Sequence, residues 1–171
     1  MSISATFLPE FDQEMANTRK ILERVPEDKF GWKPHAKSME LGRLAGHIAQ
    51  LPEWAVNTMA KTSLDLTPAD GSSSFKPFHP TSQKELVEGF DKYVKAGRDA
   101  IAAGTDEAYH QVWSLIYKGH TVLSMPRVAV IRTVVMNHII HHRGQLGVYL
   151  RLNDVAVPGM YGPSADDPVN F

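Results

Sequence analysis

Residues 137–152 read NHIIHHRGQLGVYLRL, and the spacing within them decides the fold. An α-helix turns by about 100° per residue, so His138 and His142 stand one above the other on a single face. Ile131, Val135, Leu146 and Tyr149 fall on that same face, and His141 is turned to its flank. An apolar stripe with this period meets a core. The spacing therefore predicts one long helix, from Pro126 to about Leu152, with two imidazoles inside its buried stripe.

Two imidazoles at i and i+4 can both reach one metal ion, as on the zinc-binding His-Glu-x-x-His helix. Here Ile139 and Ile140 fill the interval, so no general base comes with the motif. A third ligand has to come from another helix. His47 is the best candidate, because Leu44, Leu51 and Trp54 share its side of the second helix; His141, Glu40 and Glu53 stand in reserve. A lone inward histidine is more often a hydrogen-bonded core residue than a ligand. Burying two neighbouring imidazoles without a shared ion is costly, however. His35, His79, His110 and His120 lie in or beside connections and read as surface residues, with His35 or His79 able to line a site mouth.

Outward from this motif the chain is helical. A first helix is predicted from Phe7 to Val25, closed by Pro26. A second runs from Ser38 as N-cap to near Thr62, kinked or split by Pro52 before Trp54. Residues 63–80 are rich in Ser, Pro and Gly and read as a surface loop. A third helix opens on Ser82 and Glu85, the spacing of a capping box, and ends at Gly104. Residues 112–123 alternate partly around Lys118 and Gly119, which suits a short hairpin or an irregular crossover. Ser124 and Pro126 are placed to start the fourth helix. The tail after Leu152 has no periodicity and should lie over the bundle or over a partner subunit. The expected fold is one all-α domain over residues 1–171, a four-helix bundle with long connections.

The chain has 171 residues with 43% hydrophobic and 22% charged, enough for a real core. Its formal net charge of −1 and lack of a basic stripe exclude binding driven by nucleic-acid or anionic-membrane charge. The start, MSISATFLPEFDQE, has neither a basic nor an apolar signal region, so the expected compartment is the cytoplasm. There is no cysteine. Any metal must bind through His nitrogen or oxygen, and a thiol can enter the chemistry only on a substrate or cofactor.

With these residues in view, the chain resembles the DinB/YfiT-like family of small metal-binding four-helix proteins. GWKPHAKSMELGRLAGHIAQLPEW is similar to that family's connection and second helix, and NHIIHHRGQLGVYLRLNDVAVPGMYGPSADD to its last helix and tail. The resemblance implies one divalent ion held by His47, His138 and His142. Zinc or nickel stand first, although three imidazoles also accept copper, iron or cobalt. It implies a homodimer, and a small-molecule substrate processed by hydrolysis or by transfer to an external low-molecular-weight thiol. A non-catalytic, metal-dependent small-ligand binder or stress-response protein is the alternative.

Other residues carry two readings. Trp54 and Tyr149 are pocket wall or core. Arg143 orients an anionic substrate or is a solvated or ion-paired helix residue. Gly144 allows close helix packing. Gln145 bonds a ligand or caps a neighbouring backbone group. Asp12 and Glu14 are surface charges. Tyr161 and Asp166 close the site or anchor the tail.

Overall fold

The structure is a computed structural model and describes residues 2–71 and 75–168. The first helix, α1 (Ile3–Leu22), starts earlier than the apolar stripe suggests, because Ser2 Oγ caps it by accepting from the Ala5 N–H at 3.2 Å. The second predicted helix is two: α2 (Leu41–Gln50) and α3 (Glu53–Ala60), broken at Pro52 as expected. Ser38 is not its cap. The first N–H groups of α2 are satisfied by the preceding connection, Leu41 by the Trp32 carbonyl at 2.8 Å and Gly42 by that of Phe30 at 2.9 Å. This ties α2, and His47 on it, to the chain that leads into it.

Residues 63–80 are not all loop. Ser63–Asp65 form a short strand, β1, that pairs in parallel with β2 (Val112–Tyr117). Three residues are too few to show an alternating pattern, and Leu64 is the one that turns inward. The expected hairpin is present and longer than its sequence signal. Strand β2 runs antiparallel to β3 (His120–Pro126), giving a three-stranded sheet in the order β1-β2-β3. Its two-residue turn holds both Lys118 (φ 51°) and Gly119 (φ 73°) in the left-handed region, the geometry that matches the strands' twist. The fold is therefore mostly helical with a small sheet rather than all-α.

Helix α4 (Gln83–Ala103) begins as predicted, with Ser82 Oγ accepting from the Glu85 N–H at 3.1 Å. Glu85 reaches back to the N–H and hydroxyl of Thr81 instead of closing a box on Ser82. A short helix, α5 (Asp106–His110), follows under a Thr105 cap.

The expected continuous fourth helix has three parts. Ser124 belongs to β3 rather than to a cap, and its hydroxyl meets that of Ser114 at 3.1 Å. Helix α6 (Arg127–Val130) passes into a π-helical segment, Ile131–Asn137, and then into α7 (His138–Leu152). The π-helical run holds the β-branched residues Ile131, Thr133, Val134 and Val135, which lower α-helix propensity, and single π turns occur as insertions within α-helices.

Phe11, Leu44, Ile48, Phe90, Ile139 and Leu146 bring α1, α2, α4 and α7 together in the core. Trp113 joins the sheet to them. The tail folds back on the bundle through Val155, Val157 and Met160. Close backbone contacts require glycine at two positions on the described helices. A Cβ at Gly46 would stand 2.6 Å from the Phe78 carbonyl oxygen, and one at Gly97 would stand 2.5 Å from that of Pro52.

Candidate metal centre

Helix α2 brings His47 inward between the buried Leu44, Ile48 and Leu51. The first turn of α7 presents His138 and His142 to it. The three half-buried rings lie 4.7–5.0 Å apart between centroids. One nitrogen from each falls within 4.8 Å of the others, an arrangement that could hold a metal ion.

The outer nitrogens decide where the inner ones point. His138 Nδ1 donates to the Val134 carbonyl at 3.3 Å, and His142 Nδ1 donates to Gln145 Oε1 at 2.7 Å. A neutral imidazole that donates through Nδ1 keeps a lone pair on Nε2. The π-helical segment contributes here, because the His138 backbone N–H turns to Val135 and the ring bonds the Val134 carbonyl. His47 Nε2 stands 3.3 Å from His138 Nε2, across 91 residues of sequence. Two nitrogens about 2.0–2.1 Å from a tetrahedral zinc ion are themselves about 3.3–3.4 Å apart. The residues present therefore fit a divalent ion.

The electrostatics favour neutral, ligating rings. Burial, then the fields of His138, His142 and Arg43, lower the His47 pKa from 6.5 to about 4. Burial also lowers His138 and His142; the Val134 carbonyl and Gln145 partly oppose this.

His47 also lines a cavity of about 260 Å³ together with Met39, Trp54, Phe75 and Phe78, and with Arg43, Gln50 and His79 as further polar lining. Trp54 thus lines the site while remaining largely buried, edge-on to Phe75 at 5.4 Å. Tyr149 and Gln145 border a shallower hollow beside His142. The Tyr149 hydroxyl donates to the Met39 carbonyl at 3.3 Å. His141 stays exposed outside the cluster, where its Nε2 accepts from Gln145 Nε2 at 3.2 Å. Glu40 and Glu53 are not in the cluster either; Glu53 accepts from Gln50.

Arg143 does not face the cavity. It is buried against α1, donating to Glu14 Oε2 at 2.6 Å and to the Glu14 carbonyl at 3.0 Å. The ion-paired half of its reading holds, and the solvated half fails. Glu14 is correspondingly buried, not a surface charge, whereas Asp12 is exposed and paired with Arg98. Tyr161 donates to Glu14 at 2.7 Å, and Asp166 pairs with Arg151, so both anchor the tail. Gly144 is exposed, with open space where a Cβ would be, so it serves no close packing. Of the two mouth candidates, His79 lines the cavity and His35 instead accepts from the Lys37 N–H. Sequence reasoning missed Arg43 and Gln50. Both sit on α2 at −4 and +3 from His47, so the helical wheel that found His47 also places them beside it.

A helical bundle carrying an inward histidine triad, with His47 also lining an apolar cavity, defines the class of protein. The chain belongs to the DinB family, whose model matches residues 1–169. It is 24% identical over 166 residues to YrdA of Bacillus subtilis (strain 168), covering 96% of this chain and 92% of that protein. A DinB-like protein from Bacillus cereus ATCC 10987 superposes with a TM-score of 0.71 at 26% identity, over 94% of this chain and 98% of that one. The DinB-like protein YjoA of Bacillus subtilis shares the fold, with a TM-score of 0.67 at 18% identity over 91% and 97% of the two chains. No described helix is long and apolar enough to cross a membrane.

Proposed function

We propose that this protein is a metal-dependent enzyme acting on a small molecule, by hydrolysis or by transfer to an external low-molecular-weight thiol. The observation that carries the reading is the convergence of His47, His138 and His142, one of which, His47, lines an apolar cavity. Three protein ligands leave coordination positions open, as catalytic rather than structural sites do. When bound, a divalent ion supplies Lewis acidity and lowers the pKa of a ligating nucleophile.

The chain's own residues do the rest. Gln145 and the Val134 carbonyl fix the tautomers of His142 and His138, so that each Nε2 is a lone-pair donor. Trp54, Phe75 and Phe78 share a cavity with His47 and offer an apolar surface to the substrate. No carboxylate lines this cavity among the described residues. Acid–base work by a side chain therefore has no acidic candidate there, which favours a nucleophile activated by the ion. The absence of cysteine makes any participating thiol external. Zinc and nickel suit three imidazoles. The reading includes a homodimer, supported by Val148 and Leu152, which leave apolar side chains 58% exposed on α7.

Metal analysis of protein purified without an affinity tag tests this. About one equivalent is expected in the wild type, with loss in both His47→Ala and His142→Ala. Turnover of esters and amides, or of electrophiles with added thiols, is expected from the loaded form alone. Failure to take up zinc or nickel on reconstitution would overturn the metal site, and a loaded protein inert to the whole panel would overturn the enzyme.

A further inference from the structure

The cavity above His47 has a built wall. Gln50 holds the segment after residue 74 in place: its Nε2 donates to the Lys76 carbonyl at 2.8 Å, and its Oε1 accepts from the Phe78 N–H at 2.9 Å. The Phe78 ring sits where a Cβ on Gly89 would be 2.6 Å away, and the Phe78 backbone is pressed on Gly46. The apolar lining is thus fixed on two sides by helices α2 and α4, and preformed pockets of this kind take small molecules.

One side chain of the lining is permanently charged. Arg43 stands one helical turn before His47 and lines the same cavity. Four surface arginines, Arg19, Arg98, Arg132 and Arg151, each hold a carboxylate. Arg43 holds none among the described residues. Glu40 borders the adjoining hollow with it, and no Arg43–Glu40 ion pair forms among the described residues. The lining also holds two imidazoles, those of His47 and the exposed His79. A guanidinium is a rigid fork of donors matched to a carboxylate and unable to lose its charge. Placed at an apolar cavity without a protein counter-ion, it has its recognition partner outside the chain.

We propose that Arg43 is a specificity-determining residue that binds the carboxylate of a small ligand whose apolar body lies against Trp54, Phe75 and Phe78. The proposal rests on the metal-site reading only for where the ligand's reactive end points. One helical turn, about 5.4 Å along the axis, separates Arg43 from His47. The ligand class is thus a short, apolar or aromatic carboxylic acid whose second functional group reaches the histidine triad.

Calorimetric titration with phenylacetate and with its neutral match phenylacetamide tests the assignment, first on metal-free protein and then on the zinc-loaded form. Metal-free wild type is expected to bind the acid about tenfold more tightly than the amide, the scale of a charge-assisted pair. Arg43→Gln is expected to reduce that preference to about twofold or less, and Arg43→Lys to keep part of it. Trp54→Ala is expected to weaken acid and amide alike, which separates the wall from the anion site. Circular dichroism and metal content check that the exposed Arg43 variants remain folded and loadable. Equal binding of acid and amide by metal-free wild type, no binding of the acid, or a preference that survives Arg43→Gln would each overturn the proposal. A preference that arises only with zinc would also overturn it, because the carboxylate would then be on the ion. Because the first titration needs neither metal nor turnover, its failure is distinct from failure of the proposed enzyme.

Discussion

Arg143 and Glu14 form an ion pair inside the protein, 2.6 Å between Nη2 and Oε2, with side chains 1% and 8% exposed. It joins α7 to α1 one residue after His142, so the helix that carries two of the candidate ligands is anchored by the sequence neighbour of one of them. Thr18 and Tyr161 complete the cluster. Removing one partner of a buried pair leaves the other charge uncompensated. Arg143→Met is expected to destabilise the metal-free protein by about 3–5 kcal/mol in urea unfolding. The double variant Arg143→Met with Glu14→Leu is expected to recover most of that loss. A double variant no better than the single one would mean that the pair is not the source of the cost.

Gln145 is exposed, yet it has a defined task. Its Oε1 receives the His142 Nδ1 proton at 2.7 Å, and its amide nitrogen faces His141. Partners of this kind fix the tautomer and orientation of a ligand ring, and their loss costs about 10–100-fold in metal affinity. Gln145→Ala is expected to weaken zinc binding by that range in chelator competition, with little change in fold. Gln145→Glu keeps an acceptor and is expected to retain tight binding. Equal affinities for all three proteins would remove Gln145 from the site.

The sequence made the histidine cluster legible because each of the three rings sits in a strongly periodic segment, where facing direction follows from residue number. Pro52 announced its helix break through the missing N–H. Other features left no local mark. Glu14 looks like any solvated charge until Arg143 arrives from 129 positions away. Strand β1 exists because β2 offers it a ladder, and three residues cannot declare a period of two. The π-helical segment inserts into a run whose apolar spacing reads equally well as α-helix on either side of it. Arg43 was visible at −4 from His47, but only the placement of Phe75 and Phe78 shows that a cavity opens beside it.

Gly97 and Gly144 lie on helices and should respond to alanine with opposite signs. A Cβ at Gly97 would meet the Pro52 carbonyl oxygen at 2.5 Å, where α4 crosses the break between α2 and α3. Backbone cannot yield as a flexible side chain does, so Gly97→Ala is expected to cost about 1–3 kcal/mol. Nothing stands within 4 Å of a Cβ at Gly144. Gly144→Ala is therefore expected to stabilise α7 by about 0.5–1 kcal/mol through helix propensity alone. Urea midpoints moving in the same direction for both variants would contradict these packing assignments.

Acid should weaken the protein through the same histidines that would bind metal. Burial and neighbouring positive fields take His47 from its ordinary 6.5 to about 4 in the folded chain. Between those two values the unfolded chain holds a proton that the folded chain refuses, so stability rises with pH across the window. The contribution is complete above pH 6.5 and is lost as pH falls toward about 4. His138 and His142 are shifted in the same direction and add to the slope. His47→Leu removes one of these groups. Metal-free wild type is thus expected to lose more stability than His47→Leu when both are taken by urea unfolding through that pH window. Carboxylate titrations are common to the two proteins and cancel in the difference. Parallel losses would show that His47 protonates as freely in the folded chain as in the unfolded one, and its neutral, lone-pair-bearing state would then owe nothing to the fold.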